Sequence, residues 1–272
     1  MDSAFEIDVD RDVFVASFPK SGRTWLRFMI AAYLNRYYRL GIRRVDFDNV
    51  YQLVANDQVD LDFLSRQGCG PLTFAFWMNP HIPRILMTHN EYMLGVGDGL
   101  RMIWLSRGIE DTMLSYWYHR TDYAALHDEE PWAAPFADFL RSEDWGVPAY
   151  IRHFNGWAQS GVLALTYEMM HAQPMSVLKQ VMDMSGVHWD FVVGEKAIEL
   201  SSFHNMRTLE ECSGFEKADG PVTRDSQRRV RRGLVGGYVD YFSSDDVNYT
   251  ERQKSIIHPL YKELHGGESC RR

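Results

Sequence analysis

The sequence predicts an α/β fold: one domain spanning residues 1–272, with a central parallel β-sheet flanked by helices and a P-loop-like strand–loop–helix anion site near its start. Two observations predict it. Short runs of unbroken apolar residues are each followed by apolar residues at helical spacing, the alternation of a parallel sheet buried on both faces. The first such unit, VFVASFPKSGRTWLRFMI, sets Lys20, Ser21, Gly22, Arg23 and Thr24 between strand and helix. Free backbone amides and the helix dipole favour an anion there.

Val13–Ser17 reads as the first strand, ended by Pro19, which cannot donate to a ladder. Trp25, Phe28, Met29 and Ala32 recur at helical spacing, so a helix runs from near Gly22 to about Tyr38. The lysine precedes the glycine and no glycine lies upstream, so this is not the G-x-x-x-x-G-K-[ST] pattern. Arg84–Thr88 and Met102–Leu105 read as further strands, the latter followed by a helix from Glu110 through His119. Val162–Thr166 is the last strand, and a helix from about Pro174 to Met184 comes after it. Open parallel sheets bind ligands at the carboxyl ends of their strands. Residues 43–80 and 122–150, rich in Asp, Trp, Phe and Pro, read as substrate-side insertions or as plain surface connections. Residues 207–233 are dense in charge and read as a mobile loop covering a ligand, or again as surface.

A net charge of −8 excludes a general nucleic-acid binder, so any anion site is a local cluster in an acidic protein. No run of about 18 apolar residues is present, which predicts no membrane anchor. The acidic opening MDSAFEIDVD is unlike a signal peptide. Cys69, Cys212 and Cys270 form no CxxC pair, which points to reduced thiols and a cytoplasmic location, not to a zinc site or disulfides. Oligomeric state leaves no mark in the sequence.

Chemistry concentrates at the strand ends. Arg107 follows the Met102–Leu105 strand and Ser115 lies two helical turns on; together they suit a phosphate, or else Arg107 pairs locally with Glu110 or Asp111. The strand in LALTYEMM ends at Tyr167, LSSFHNMR follows later, and four arginines crowd between Arg228 and Gly233. Such a run is a solvated face or a phosphate clamp.

Taken in order, these segments resemble the sulfotransferases that use 3′-phosphoadenosine 5′-phosphosulfate (PAPS). FPKSGRTW is similar to their 5′-phosphosulfate loop YPKSGTTW, and LSRGIEDTMLSYWYH to their 3′-phosphate motif, an arginine with a serine eight positions later. LTYEMM resembles their L-x-YE-D-M strand end, SSFHNMR their SF-x-x-M segment, and RRGLVGGYVDYF their RKG-x-x-GDW-x-x-x-F motif. The resemblance implies that Lys20, Ser21, Gly22, Arg23 and Thr24 hold the 5′-phosphosulfate and that Trp25 stacks on adenine. It implies that Arg107 and Ser115 bind the 3′-phosphate with Arg231, Arg232 and Gly233, while Tyr167, Ser201, Phe203 and Met206 line the adenine pocket. RILMTHNEY places His89 where the family has its catalytic histidine, after KT. His89 would be the general base and Lys20 would stabilise the leaving phosphate, with PAPS as donor, PAP as product and no metal. The other histidines, His119 and His204 among them, read as structural.

Four departures stand out: Arg23 for threonine, Met87 for a second lysine, Gly108-Ile109-Glu110 for N-P-K, and Gly237-Tyr238 for Asp-Trp. The expected acceptor is a small molecule sulfated on a hydroxyl, with an amine second. Trp77, Trp132, Trp145 and Phe136 offer an apolar acceptor pocket or core, and Asp128-Glu129-Glu130 a greeting for a cation or a solvated loop. Two other readings fit a strand–loop–helix anion site: a nucleoside or small-molecule kinase, and a catalytically silent nucleotide binder of the same fold.

Overall fold

The computed structural model describes residues 8–56, 75, 79–92, 99–126, 130–213 and 225–266. Five strands, β1 (Asp12–Ser17), β2 (Ala55–Asn56), β3 (Arg84–Thr88), β4 (Arg101–Ser106) and β5 (Leu163–Thr166), pair in the order β2-β3-β1-β4-β5. Every pairing is parallel, as the apolar runs predict. Ala16 of β1 stands opposite Thr88 of β3, and Ser17 opposite Leu105 of β4. The three central strands therefore end level. The chain leaves β1 toward β3 on one side and β4 on the other, so the strand order reverses at β1, where a crevice opens beyond the carboxyl ends.

Side chains alternate across the sheet into two cores. Val13, Val15, Ile103 and Leu105 pack on one face with Leu26, Met29 and Ile30 of α1 (Arg23–Tyr37). Ala16 and Trp104 face the other way, against Ile109 and Met113 of α2 (Ile109–Tyr118), Phe139 of α3 (Phe136–Arg141) and Phe154 of α4 (Val147–Ala158). The first layer is completed by α5 (Tyr167–Ala172), α6 (Pro174–Met184), α7 (Phe191–Leu200) and α8 (Phe203–Ser213). On the second, α9 (Ser244–Gln253) and α10 (Leu260–His265) close the chain. Burying apolar area on both faces stabilises the sheet at roughly 25 cal/mol per Å². At the amino end, buried Asp12 is neutralised by Arg84 of the neighbouring strand.

Several sequence expectations change here. Within 122–150, a π-helical turn (His119–Tyr123) extends α2, and α3 and the start of α4 follow. Trp132, Trp145 and Phe136 pack against the second core, which favours the core reading for them. Residues 207–213 are helical, the second half of α8. Residues 214–224, Trp77, Asp128 and Glu129 lie outside the described residues, as do Cys69 and Cys270. Met87 points into the first core, fully buried, where a lysine would be an unpaired charge. Among the described residues no helix is long and apolar enough to cross a membrane.

Candidate active site

The turn after β1 is shaped by backbone conformation. Ser21 N–H donates to the Phe18 carbonyl at 3.3 Å, Lys20 adopts a left-handed φ of 68°, and Gly22 one of 99°. Gly22 caps α1 without any side-chain hydrogen bond, and no acidic residue occupies the first helical turn, so its amides face the crevice uncompensated. A Cβ on Gly22 would lie 2.5 Å from the Tyr167 ring. Gly22→Ala therefore combines left-handed strain with a clash. We expect it to lower unfolding free energy by about 1–3 kcal/mol, read by denaturant unfolding.

Arg107, at the end of β4, is held from several sides. Its guanidinium donates to the carbonyls of Lys20 at 3.3 Å and Leu234 at 3.0 Å and lies 4.1 Å over the Tyr167 ring. The Tyr150 hydroxyl donates to its carbonyl at 2.5 Å. The local pairing considered from sequence is minor: Asp111 stands 3.9 Å away, and its carboxylate instead accepts from the amides of Gly236 (2.6 Å) and Tyr238 (3.0 Å). Glu110 pairs with Lys254 at 2.5 Å.

The strand end at Tyr167 is braced from behind. Glu168 accepts from Gly108 N–H at 3.0 Å and meets His265 Nδ1 at 3.2 Å, and His265 Nε2 contacts the Ser106 hydroxyl at 3.0 Å. Desolvation opposes ionisation of Glu168, yet His265 and the Gly108 amide outweigh it and hold its carboxyl below the usual range. C-terminal helix α10 thereby fixes the turn that carries Arg107.

His89 follows β3. Its Nδ1 lies 2.7 Å from the Ser17 carbonyl; a carbonyl only accepts, so Nδ1 carries the proton and Nε2 keeps its lone pair. Desolvation and then the Arg23 guanidinium push its pKa well below 6.5. The ring is exposed where it lines the cavity, so solvent tempers the first cause. Lys20 is also depressed, to about 7, by desolvation first and then Arg229, with Glu210 opposing and Arg107 and Arg231 adding.

The arginine run is pinned to α8. Glu210 accepts from the amides of Arg229 (2.7 Å) and Val230 (3.3 Å), and Arg207 donates to the carbonyls of Val230 (2.7 Å) and Arg231 (2.9 Å). Arg229 donates to the Tyr123 hydroxyl, Arg231 lies 4.6 Å over Tyr118, and Arg232 pairs with Asp240 at 2.8 Å. Gly233, at φ 62°, leaves room for Phe203, whose ring would sit 2.4 Å from a Cβ there.

These elements enclose a cavity of about 390 Å³. Every site residue expected from the sequence lines it except Ser21 and Ser201. Ser21 is buried beneath the turn with its hydroxyl unbonded, whereas Ser201 donates to the Ala197 carbonyl at 2.8 Å and finishes α7. Further lining residues that carry charge or an imidazole, Asp111, His119, Arg120, His171 and Arg229, were given no site role by the sequence. Asp111 and His119 stand four residues on either side of Ser115, on one face of α2 and its continuation, which was the available signal. Arg229 belonged to a noted run but carried no assigned role.

Comparison with known proteins agrees with this architecture. A profile for the sulfotransferase domain matches residues 10–264. Cytosolic sulfotransferase 16 of Arabidopsis thaliana is 26% identical over 258 residues, covering 86% of this chain and 72% of its own. The crystal structure of mouse sulfotransferase SULT7A1 complexed with PAP superposes with a TM-score of 0.62 at 18% identity, covering 99% of this chain and 90% of the other. Retinol dehydratase in complex with androsterone and PAP gives 0.64 at 18% identity, covering 93% and 82%. The chain belongs to the sulfotransferase family of enzymes.

Proposed function

We propose that this chain transfers a sulfuryl group from PAPS to a hydroxyl of a small-molecule acceptor. One observation carries the reading: the β1 turn and the end of β3 bring Lys20 and a His89 of fixed tautomer into one cavity. Two unbonded buried groups belonging to residues that line the cavity, Trp25 Nε1 and Arg107 Nε, suit an incoming polyanion that accepts hydrogen bonds. PAPS brings an electrophilic sulfur joined to a phosphate leaving group.

In this reading Lys20, Arg23, Thr24 and the amides from Gly22 into the first turn of α1 hold the 5′ end. Arg107, Ser115, Arg231, Arg232 and the amide at Gly233 hold the 3′-phosphate. Trp25, Tyr167, Phe203 and Met206 sandwich the base, and Ser201 supports them by ending α7. His89 Nε2 takes the proton of the acceptor hydroxyl as that oxygen bonds to sulfur. The electron pair of the breaking S–O bond stays on the phosphate oxygen, where Lys20 and the helix dipole offset it. No metal enters: among the described residues the one carboxylate lining the cavity, Asp111, is occupied by two amides. That also weighs against the kinase reading, which needs carboxylates for Mg²⁺. The name of the plant relative, a cytosolic sulfotransferase, supports a cytoplasmic location.

Calorimetry tests the donor assignment. PAP is expected to bind at least about tenfold more tightly than ADP, and Arg107→Ala to abolish that preference. Equal binding of PAP and ADP by the native chain would overturn the 3′-phosphate assignment.

A further inference from the structure

A second cavity, of about 590 Å³, shares no lining residue with the first. It opens between the last turn of α1, the chain that follows it to Val45, and the corner where α7 passes into α8. Its floor is apolar: Phe28, Ala32 and Leu209 are buried members of the first core, and Ile42 and Val45 pack against that core. Its rim is cationic. Arg36, Arg39, Arg43 and Arg44 line it, all exposed, and they fall within nine residues of a chain whose net charge is −8. Among the described residues none of these four guanidinium groups has a hydrogen bond, ion pair or ring contact. The other polar side chains of the lining are occupied. Asn35 donates to the Ile42 carbonyl at 2.7 Å, Asn205 to the Glu199 carbonyl at 2.7 Å and Thr208 to the His204 carbonyl at 3.0 Å, while the Glu199 carboxylate meets Lys196 at 2.6 Å.

The backbone at Arg39 is a second, independent observation. Helix α1 closes with Leu40 N–H donating to the Asn35 carbonyl at 3.0 Å, and Arg39, just before it, takes a left-handed φ of 51°. Glycine is the residue that suits this place after a helix. Among the described residues the other non-glycine with a positive φ is Lys20, in the first cavity. Strain of this kind collects at functional positions. Helix α8 separates the two cavities: Phe203 and Met206 line the first, whereas Asn205, Thr208 and Leu209, on the opposite face of the helix, line the second.

We propose that this cavity is a second anion site, taking a small organic polyanion: a flat apolar body that bears several phosphate, sulfate or sulfonate groups. Guanidinium forks match such oxyanions in plane and spacing, and the body covers the floor at Phe28 and Leu209. The site is independent of the donor reading, because no residue assigned to PAPS lines it.

The test saturates the native chain with PAP and titrates pyrenetetrasulfonate by its fluorescence, with pyrenesulfonate as control. One equivalent of the tetrasulfonate is expected to bind, at least about tenfold more tightly than the monosulfonate. Arg39→Gly and Arg44→Gln should each weaken it by about tenfold, with the PAP dissociation constant at its native value. The melting temperature of Arg39→Gly should stand at or above that of the native chain, since glycine relieves the left-handed φ. Binding that PAP displaces, that the monosulfonate equals, or that both variants retain would overturn the inference. If PAP itself fails to bind, the donor reading falls, and the same titration without PAP in the native chain and the two variants still decides this one.

Discussion

Alanine at His89 is expected to lower kcat by about 10²–10⁴-fold while PAP affinity changes little, because in the proposed mechanism the imidazole acts on the acceptor proton alone. The Ser17 carbonyl holds Nδ1–H, so Nε2 is the free base. That carbonyl ends β1, one residue after the one paired with the end of β3, so sheet register itself sets the ring. The base works only when neutral. Its pKa is held well below 6.5, so activity persists through mildly acidic pH and falls only as pH drops through that lowered value. Arg23→Thr removes the main charge depressing it, so the acid limb should move to higher pH. A pH–rate profile of kcat/KM for the native chain and both variants reads all of this. An unchanged kcat in His89→Ala would remove it from catalysis.

Lys20→Met is the second large effect, a loss of about 10²–10³ in kcat, the size reported by removing one preorganised donor from a developing oxyanion. Lys20 titrates at about 7 in the ligand-free chain, since burial and then Arg229 disfavour its charge. A bound anion favours the ammonium, so binding raises that pKa. Above pH 7, PAP binding should therefore take up a proton, and affinity should fall as pH rises through and beyond 7. Calorimetry in two buffers of different ionisation enthalpy counts that proton. Lys20→Met should show neither the uptake nor that part of the pH dependence.

The segments legible in the sequence were those whose signal is local. β3 and α6 lie at the predicted residues, and β1, α1 and α2 differ by one or two, because apolar runs, Pro19 and Gly22 mark them within a few residues. The residues that line the cavity at the strand ends were legible for the same reason: each sits at a strand end or in a short motif. Helix α9 shows no apolar face to betray it, yet Ser243 and Asp246 form a capping box that marks its start. The tryptophans of 122–150 could not be assigned from sequence, since whether they face core or cavity depends on α3 and α4 packing behind them. Arg229 meets Tyr123, and Asp111 the Gly236 amide, across more than 100 residues, pairings that no local pattern contains.

The order β2-β3-β1-β4-β5 divides labour along the sheet. Lys20, Arg107 and Tyr167 reach the cavity from β1 and the strands on one flank, β4 and β5, with the chain that follows them. The opposite flank contributes His89 and carries the 27 residues between β2 and β3. Chain length added or removed there re-registers none of β1, β4 or β5. The residues proposed to hold the donor thus lie on one flank of the sheet and the proposed base on the other.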